Sequence, residues 1–553
     1  MATSHRLPRS AWRAMIESAF YANSVRKTTM AELYTLALRQ PEVMATSHRF
    51  YRPEQFGLPR DAKVLVSNDG GIVGRTARAR RLVREMGKEK DKYLRILGEA
   101  VYQLNRREGL WLEAVVGLHH DFMIKAHLLS PATDAKNMLD WGINFAPWMK
   151  PWTDMFKKSR PLEEPDIMVF ADPEWYDPEF PNGLVIIDEK ENCIAILGLR
   201  YFGERKKGTL TLAWTAGVRH NMVACHGGIK TVGHHPPVAV FGLSGSGTSS
   251  ITNSHDHAGT LKKSEKVTVI HDDAFLIDLD NDITVALEPS LFDKTDAVEF
   301  DDPLIKYFYS AQNVAVTEPE PGKRIMVCRD IRNDNGRCLK TRDMFNHAPS
   351  CKRPGKVIWL QKDPSLPPVC KITDRGLAVA MGASLSTMRA KGVENVPAEE
   401  LAKLVIEPFA NPFRVHPLTV DCEQFMKLFK SGTECFIMNT HAFGLPGREE
   451  DIPKELSLSI VTEMIRDTIE WRAWKVFPGL MVPRNGTELF GPDFDGKYKP
   501  PRDTDYLQFL RNRMQDRITY LSNKRDIDHD MDSSFIDPLV EARVVIDRIL
   551  NPI

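Results

Sequence analysis

Residues Val238 to Ser250 read VAVFGLSGSGTSS: an apolar, β-branched run, then Gly242, Gly245 and Gly247, then the hydroxyl cluster Thr248, Ser249 and Ser250. β-branched runs suit a strand, and closely spaced glycines let the following turn aim backbone N–H groups at one point. The stretch therefore predicts a strand feeding a phosphate-cradling loop. Set against the pattern G-x-x-x-x-G-K-[ST], it supplies Gly242, then Gly247, then Ser249 at the position whose hydroxyl meets a metal. Thr248 stands where that pattern has lysine, so the loop lacks its one fixed positive charge.

The 553 residues exceed what one core holds, since single cores stop growing at roughly 250–300 residues, and two or more domains are expected. Lys+Arg and Asp+Glu both total 74, so no overall field recruits nucleic acid or an acidic membrane, and any partner is recognised locally. A run of about 18 apolar residues, as a membrane span needs, is missing from the sequence, as is a signal-peptide core. The expectation is a cytoplasmic protein with no nucleic-acid or membrane partner. Eight cysteines are too sparse for a disulfide scaffold. Cys328, Cys338, His347 and Cys351 lack the close C-x-x-C pairing of a zinc site and are expected to be ordinary thiols.

Working outward, VLVSNDGGIVGR puts a short strand at Val64 to Val66 before Gly70, Gly71 and Gly74, with Arg75 placed to reach an anionic ligand. The apolar spacing of Trp12, Met15, Ile16, Ala19 and Phe20 predicts a packed helix within 10–50, and residues 78–130 read as solvated helices. The hexapeptide MATSHR occurs at Met1 to Arg6 and again at Met44 to Arg49, without extending into a structural repeat. Leu184 to Ile187 and Ile194 to Leu197 flank a charged turn and predict a hairpin. Buried strands are expected in KVIWLQKDPSLPPVCKIT (Lys356 to Thr373) and ECFIMNTHAFG (Glu434 to Gly444), and helices over 453–475, Leu507 to Leu521 and Pro538 to Leu550. Between the hairpin and the glycine loop lie Glu204, Arg205, Lys206 and Lys207 and then Cys225, His226, Gly227 and Gly228. Beyond the loop, VTVIHDD ends in Asp272 and Asp273. A strand, a glycine loop and a later strand ending in acids form the minimal kit for holding nucleotide phosphates and a divalent metal.

The succession YFGERKKG (Tyr201 to Gly208), ACHGG (Ala224 to Gly228), FGLSGSGTSS (Phe241 to Ser250), HDD (His271 to Asp273), ALEPSLFDKTDAVEFDD (Ala286 to Asp302), VIWLQKDPSLPPV (Val357 to Val369), NTHAFG (Asn439 to Gly444) and PRDTD (Pro501 to Asp505) resembles, in order and over most of the chain, ATP-dependent phosphoenolpyruvate carboxykinase. The resemblance implies an α/β fold of two domains. One, over residues 1–220, is an N-terminal α/β substrate-side domain; the other, over 221–553, carries the P-loop and binds the nucleotide. The active site is expected in the cleft between them. It also implies the reaction: oxaloacetate is decarboxylated to an enolate, which takes the γ-phosphoryl group of ATP.

Carried over by position, the resemblance makes Lys207, His226 and Asp273 the ligands of a catalytic transition metal, usually manganese. Ser249 becomes the hydroxyl on a nucleotide-bound magnesium, and Asp272 the second acid of the pair. Gly242, Leu243, Ser244, Gly245, Ser246, Gly247 and Thr248 complete the nucleotide loop, and Arg448 lies near where an arginine packs on the adenine. Arg75 and Tyr201 seat the dicarboxylate, and Lys206 belongs to the catalytic group. A ligating lysine must be neutral, and cations at Arg205 and Lys206 are expected to favour that form.

Two positions depart from the pattern: Thr248 replaces the loop lysine, and Asn313 stands where the family has an arginine touching substrate and γ-phosphate. The polar, histidine-rich stretch Asn253 to Lys266 is also extra. Arg205, Lys206, Lys230, Lys262 and Lys263 are the cations considered as replacements. The partners expected are oxaloacetate or a related dicarboxylate and a nucleotide, bound by a monomer or small homo-oligomer. The alternatives are a kinase on the same scaffold with another phosphoryl donor or acceptor, and a catalytically impaired or non-catalytic relative.

Overall fold

The computed structural model describes residues 10–68, 79–243, 245–257, 259–296, 298–299, 302–329, 336–388, 404–527 and 531–551. Arg75 and Ser244 lie outside them. The chain forms two compact α/β units. The first runs to His220 and takes in Ala286–Met344 and Phe413–Val415, so the chain returns to it twice after entering the second.

In the first unit an eight-stranded mixed sheet holds the hairpin Leu184–Asp188 and Cys193–Leu197, paired antiparallel from Leu184↔Leu197 to Asp188↔Cys193. Every residue of both strands is buried. One face is covered by the helices Ala11–Ala19 and Lys90–Leu104, whose Trp12, Ile16, Leu97 and Val101 join Ile186 and Ala195 in one core. Residues 109–131, expected as helix, form instead the long antiparallel strands Gly109–His119 and Phe122–Pro131. Their polar residues meet across the ladder: Glu113 pairs with His127 in register and takes a 2.7 Å contact from Lys125. A second, five-stranded sheet joins Lys63–Ser67 to Phe308–Gln312 and places the repeated hexapeptide at Met44 to Arg49 on its edge strand, Val43–Arg49.

The second unit is built on an eight-stranded sheet whose central strands, Val238–Phe241, Lys356–Gln361 and Glu434–Asn439, are parallel neighbours. The register runs from Val238↔Lys356 to Phe241↔Trp359 and from Lys356↔Glu434 to Gln361↔Asn439. All residues of the first two of these strands are buried, which is why they read as continuous apolar runs rather than alternating ones. Trp359, Phe409 and Phe425 pack behind them, the last two stacked with centroids 4.4 Å apart. The C-terminal helices Thr504–Ile527 and Asp537–Leu550 complete the unit. The helical texture expected over 453–475 is a helix only at Lys454–Ile465, and Trp471–Ala473 is an edge strand. Among the described residues no helix is long and apolar enough to cross a membrane.

Cys328 and Cys338 sit in the core around Val64 and Phe308, where burial pushes both thiols up to about 12. They are packing residues, not a metal set with His347 and Cys351. Among the described residues the grouped metal-type side chains are His119, His120 and Asp121, on the turn after Gly109–His119.

Candidate active site

The strand Val238–Phe241 ends where the glycine loop begins, and the chain re-enters a helix at Thr248–Asn253. Gly245 (φ +85°) and Gly247 (φ +98°) hold the left-handed backbone that the turn requires and that side chains disfavour. Thr248 folds its hydroxyl back onto the Gly242 carbonyl at 3.2 Å, closing the loop where a lysine side chain would extend from it. Ser249 is exposed, Ser246 is buried, and the Ser246 carbonyl accepts a 2.7 Å hydrogen bond from Thr440 at the end of the third parallel strand. The helix lies so close to the strand Gly228–Val232 that a Cβ on Gly228 would fall 1.9 Å from the Thr252 hydroxyl, so the second glycine of ACHGG is a packing requirement.

His226 and Asp273 come together through a second sheet. The strand Met222–His226 pairs antiparallel with Ala274–Asp278, His226 opposite Ala274, and the Gly227 N–H donates to the Asp273 carbonyl at 3.0 Å. His226 Nε2 consequently lies 3.0 Å from Asp273 Oδ1, with each side chain about one-fifth exposed. His226 Nδ1 is 2.5 Å from the Ala410 carbonyl, an acceptor only, so Nδ1 carries the proton. Nε2 then turns a lone pair towards a carboxylate oxygen, an arrangement that needs a shared cation, whether a proton or a metal. The imidazole and the carboxylate are a nitrogen and an oxygen donor of the kinds a first-row dication takes. The residues therefore fit a metal.

Sequence reasoning passed over two supports of this pair. His271, buried at the end of Val267–His271, accepts the backbone N–H groups of Asp273 (3.0 Å) and Ala274 (2.9 Å) on Nδ1, which fixes the turn that presents both acids. Asn253, the last residue of the loop helix, donates to Asp272 Oδ2 at 3.0 Å and ties that acid to the phosphate loop. An HDD triplet at a strand end carries the signal for the first. The second is legible only in three dimensions.

The YFGERKKG residues belong to the first unit, where Tyr201 precedes an 18-residue helix, Phe202–Arg219. Arg205 and Lys206 are buried on this helix and each faces a carboxylate: Arg205 donates to Asp134 at 2.7 Å, and Lys206 Nζ is 3.3 Å from Glu288. These partners neutralise the charge expected to press on Lys207. Lys207 is half-buried, with Nζ 4.8 Å from the Phe413 ring centre and 5.9 Å from that of Trp214. Tyr201 packs at 6.4 Å from Phe292. Asn313, at φ +55°, ends the strand Phe308–Gln312 and is buried, a backbone state that asparagine tolerates better than most residues.

Of the remaining cations considered as replacements, Lys262 and Lys263 are exposed. Lys230 is fully buried, hydrogen-bonded to the Ile251 carbonyl and 2.6 Å from His257 Nε2, so it braces the loop helix from within the fold. His257 comes from the extra stretch Asn253 to Lys266 and is held on its other side by Thr462 at 2.8 Å. Burial, then the Lys230 charge, holds this imidazole down at about 3. The stretch is thus anchored to the helix Lys454–Ile465. Arg448 is exposed in the turn after Ala442–Phe443.

A family model described as phosphoenolpyruvate carboxykinase, of the ATP type, matches residues 54–488. The chain belongs to the ATP-dependent phosphoenolpyruvate carboxykinase family. A curated relative, phosphoenolpyruvate carboxykinase (ATP) of Aeropyrum pernix, is 27% identical over 372 residues, 62% of this chain and 70% of that protein.

Proposed function

We propose that this protein is a metal-dependent phosphoenolpyruvate carboxykinase, converting oxaloacetate and ATP to phosphoenolpyruvate, carbon dioxide and ADP. The observation that carries the proposal is the His226–Asp273 pair at 3.0 Å in a chain matched by the family model over residues 54–488. In this reading Lys207, His226 and Asp273 hold manganese, while Ser249 and Asp272 face a magnesium bound to the nucleotide. The two ions supply positive charge to the enolate oxygen and to the phosphoryl oxygens. The loop Gly242 to Ser249 grips the phosphate chain through its backbone, Arg448 borders the adenine, and Tyr201 with Arg75 orients the dicarboxylate. His226, its Nδ1 proton held by Ala410, keeps Nε2 free of a proton for the ion.

Thr248 and Asn313 favour a second reading, a kinase on the same scaffold with another donor or acceptor, because both changes fall on phosphate or substrate contacts and neither falls on a proposed metal ligand. A coupled assay in the carboxylating direction separates the two. With phosphoenolpyruvate, ADP, bicarbonate and manganese, the first reading predicts oxaloacetate, detected as NADH oxidation through malate dehydrogenase. No signal at protein concentrations near those of the substrates, together with ATP consumption on another small acid, establishes the second.

A further inference from the structure

The three parallel strands Val238–Phe241, Lys356–Gln361 and Glu434–Asn439 send the loops at their C-terminal ends to one edge of the sheet, the edge at which open α/β sheets take ligands. The glycine loop leaves the first, Thr440 follows the third, and Lys362 follows the second. A Cβ built on Gly245 would lie 4.0 Å from Lys362 Nζ, so this ammonium rests against the glycine loop. Among the described residues Lys362 has neither hydrogen bond nor ion pair. The adjacent Asp363 does not serve it, being bonded to Arg517 at 2.8 Å inside the fold and to the Ser365 hydroxyl at 2.8 Å. Lys362 is half-buried, and burial lowers its pKa below the ordinary lysine value. A cation taken partly out of water without a counter-charge is costly to keep. Here it is kept beside a phosphate loop whose own lysine position is filled by Thr248, which turns its hydroxyl to Gly242.

We propose that Lys362 is the phosphate-binding cation of the nucleotide site, reaching the triphosphate from the neighbouring strand's loop in place of the lysine that Thr248 replaces. The proposal rests on the reading of Gly242 to Ser249 as a nucleotide site. It explains why the loop keeps its glycines and hydroxyls without its own charge: the charge stands on the adjoining loop of the same sheet edge.

The test is calorimetric titration of the full chain with ATP, ADP and AMP in the presence of magnesium. Lys362→Met keeps an apolar side chain of similar length and removes the charge. Without that charge-assisted hydrogen bond ATP binds about 10- to 100-fold more weakly, ADP is affected less, and AMP not at all, because AMP lacks the β- and γ-phosphates. Adding Thr248→Lys to Lys362→Met restores ATP affinity, a rescue that a merely structural lysine does not allow. The unliganded Lys362→Met protein melts at or above the wild-type temperature, since an unpaired half-buried charge has been removed. ATP affinity that is equal in wild type and variant, or that falls equally for ATP and AMP, overturns the role of Lys362 while leaving the nucleotide site standing. A wild-type protein that binds none of the three nucleotides overturns the nucleotide reading and the lysine together.

Discussion

Replacing Lys230 by methionine should change how the protein's stability depends on pH. The ammonium is wholly buried under the loop helix, and burial lowers its pKa from 10.5 to about 7. Between pH 7 and 10.5 the unfolded chain therefore binds a proton that the folded chain does not, so stability rises with pH across that window and is flat below it. At about 1.36 kcal/mol per pKa unit, and allowing for half-titration at pH 7, the wild type gains about 2 kcal/mol between pH 7 and 9 from this residue alone. Lys230→Met fills the same space, forgoes the bonds to the Ile251 carbonyl and His257, and has no such gain. Urea unfolding at pH 7 and pH 9, followed by circular dichroism, should show the wild type moving towards greater stability relative to the variant by that amount. Parallel pH profiles would refute the reasoning, and would mean that the lysine is charged in the fold with its hydrogen bonds offsetting desolvation in full.

Two further expectations concern the frame of the site. In the first unit burial alone would raise the Glu164 carboxyl, but bonds from His220 and Arg219 outweigh it and hold it at about 2, so its stabilisation is present above pH 4.5 and lost as pH falls towards 2. Glu164→Gln should flatten acid unfolding in that window by roughly 1 kcal/mol after allowance for solvent screening, read from urea midpoints at pH 5 and pH 3. In the second unit Arg517 and Asp363 are both fully buried at 2.8 Å, and the Gln361 side chain and the Ser384 carbonyl take further Arg517 bonds. Asp363→Ala leaves that guanidinium without its counter-charge and should cost roughly 3–5 kcal/mol, seen as a lowered urea midpoint of the second unit.

The parts of this fold that could be read in advance are those whose signal is local. The hairpin Leu184 to Leu197 and the strands at Val238, Lys356 and Glu434 are apolar runs bounded by turns, and the two C-terminal helices are long charged runs. Residues 109–131 misled because Glu113, Lys125 and His127 interrupt the apolar run with charged and polar side chains. Their polarity is satisfied across a strand pair, by one another, which no single window of sequence displays. The loop, His226 and the acid pair were legible because each sits next to a glycine or a strand end. Lys362 was not, because it meets the loop only through the parallel register Phe241↔Trp359, which joins segments far apart in sequence. Lys230, in sequence one of the cations considered as a replacement, is set aside only when its burial is seen.

The central claim is that the His226–Asp273 pair serves a carboxykinase reaction, and phosphorus NMR of chelator-quenched samples of the full chain with ATP, oxaloacetate and manganese tests it most directly. Wild-type protein should give phosphoenolpyruvate and ADP growing in equal amounts, while Asp273→Asn, which keeps the shape and removes the charge beside His226 Nε2, should be slower by at least ~100-fold, as removal of one group stabilising transition-state charge makes an enzyme. Release of inorganic phosphate without phosphoenolpyruvate, or an Asp273→Asn protein as active as the wild type, would contradict it.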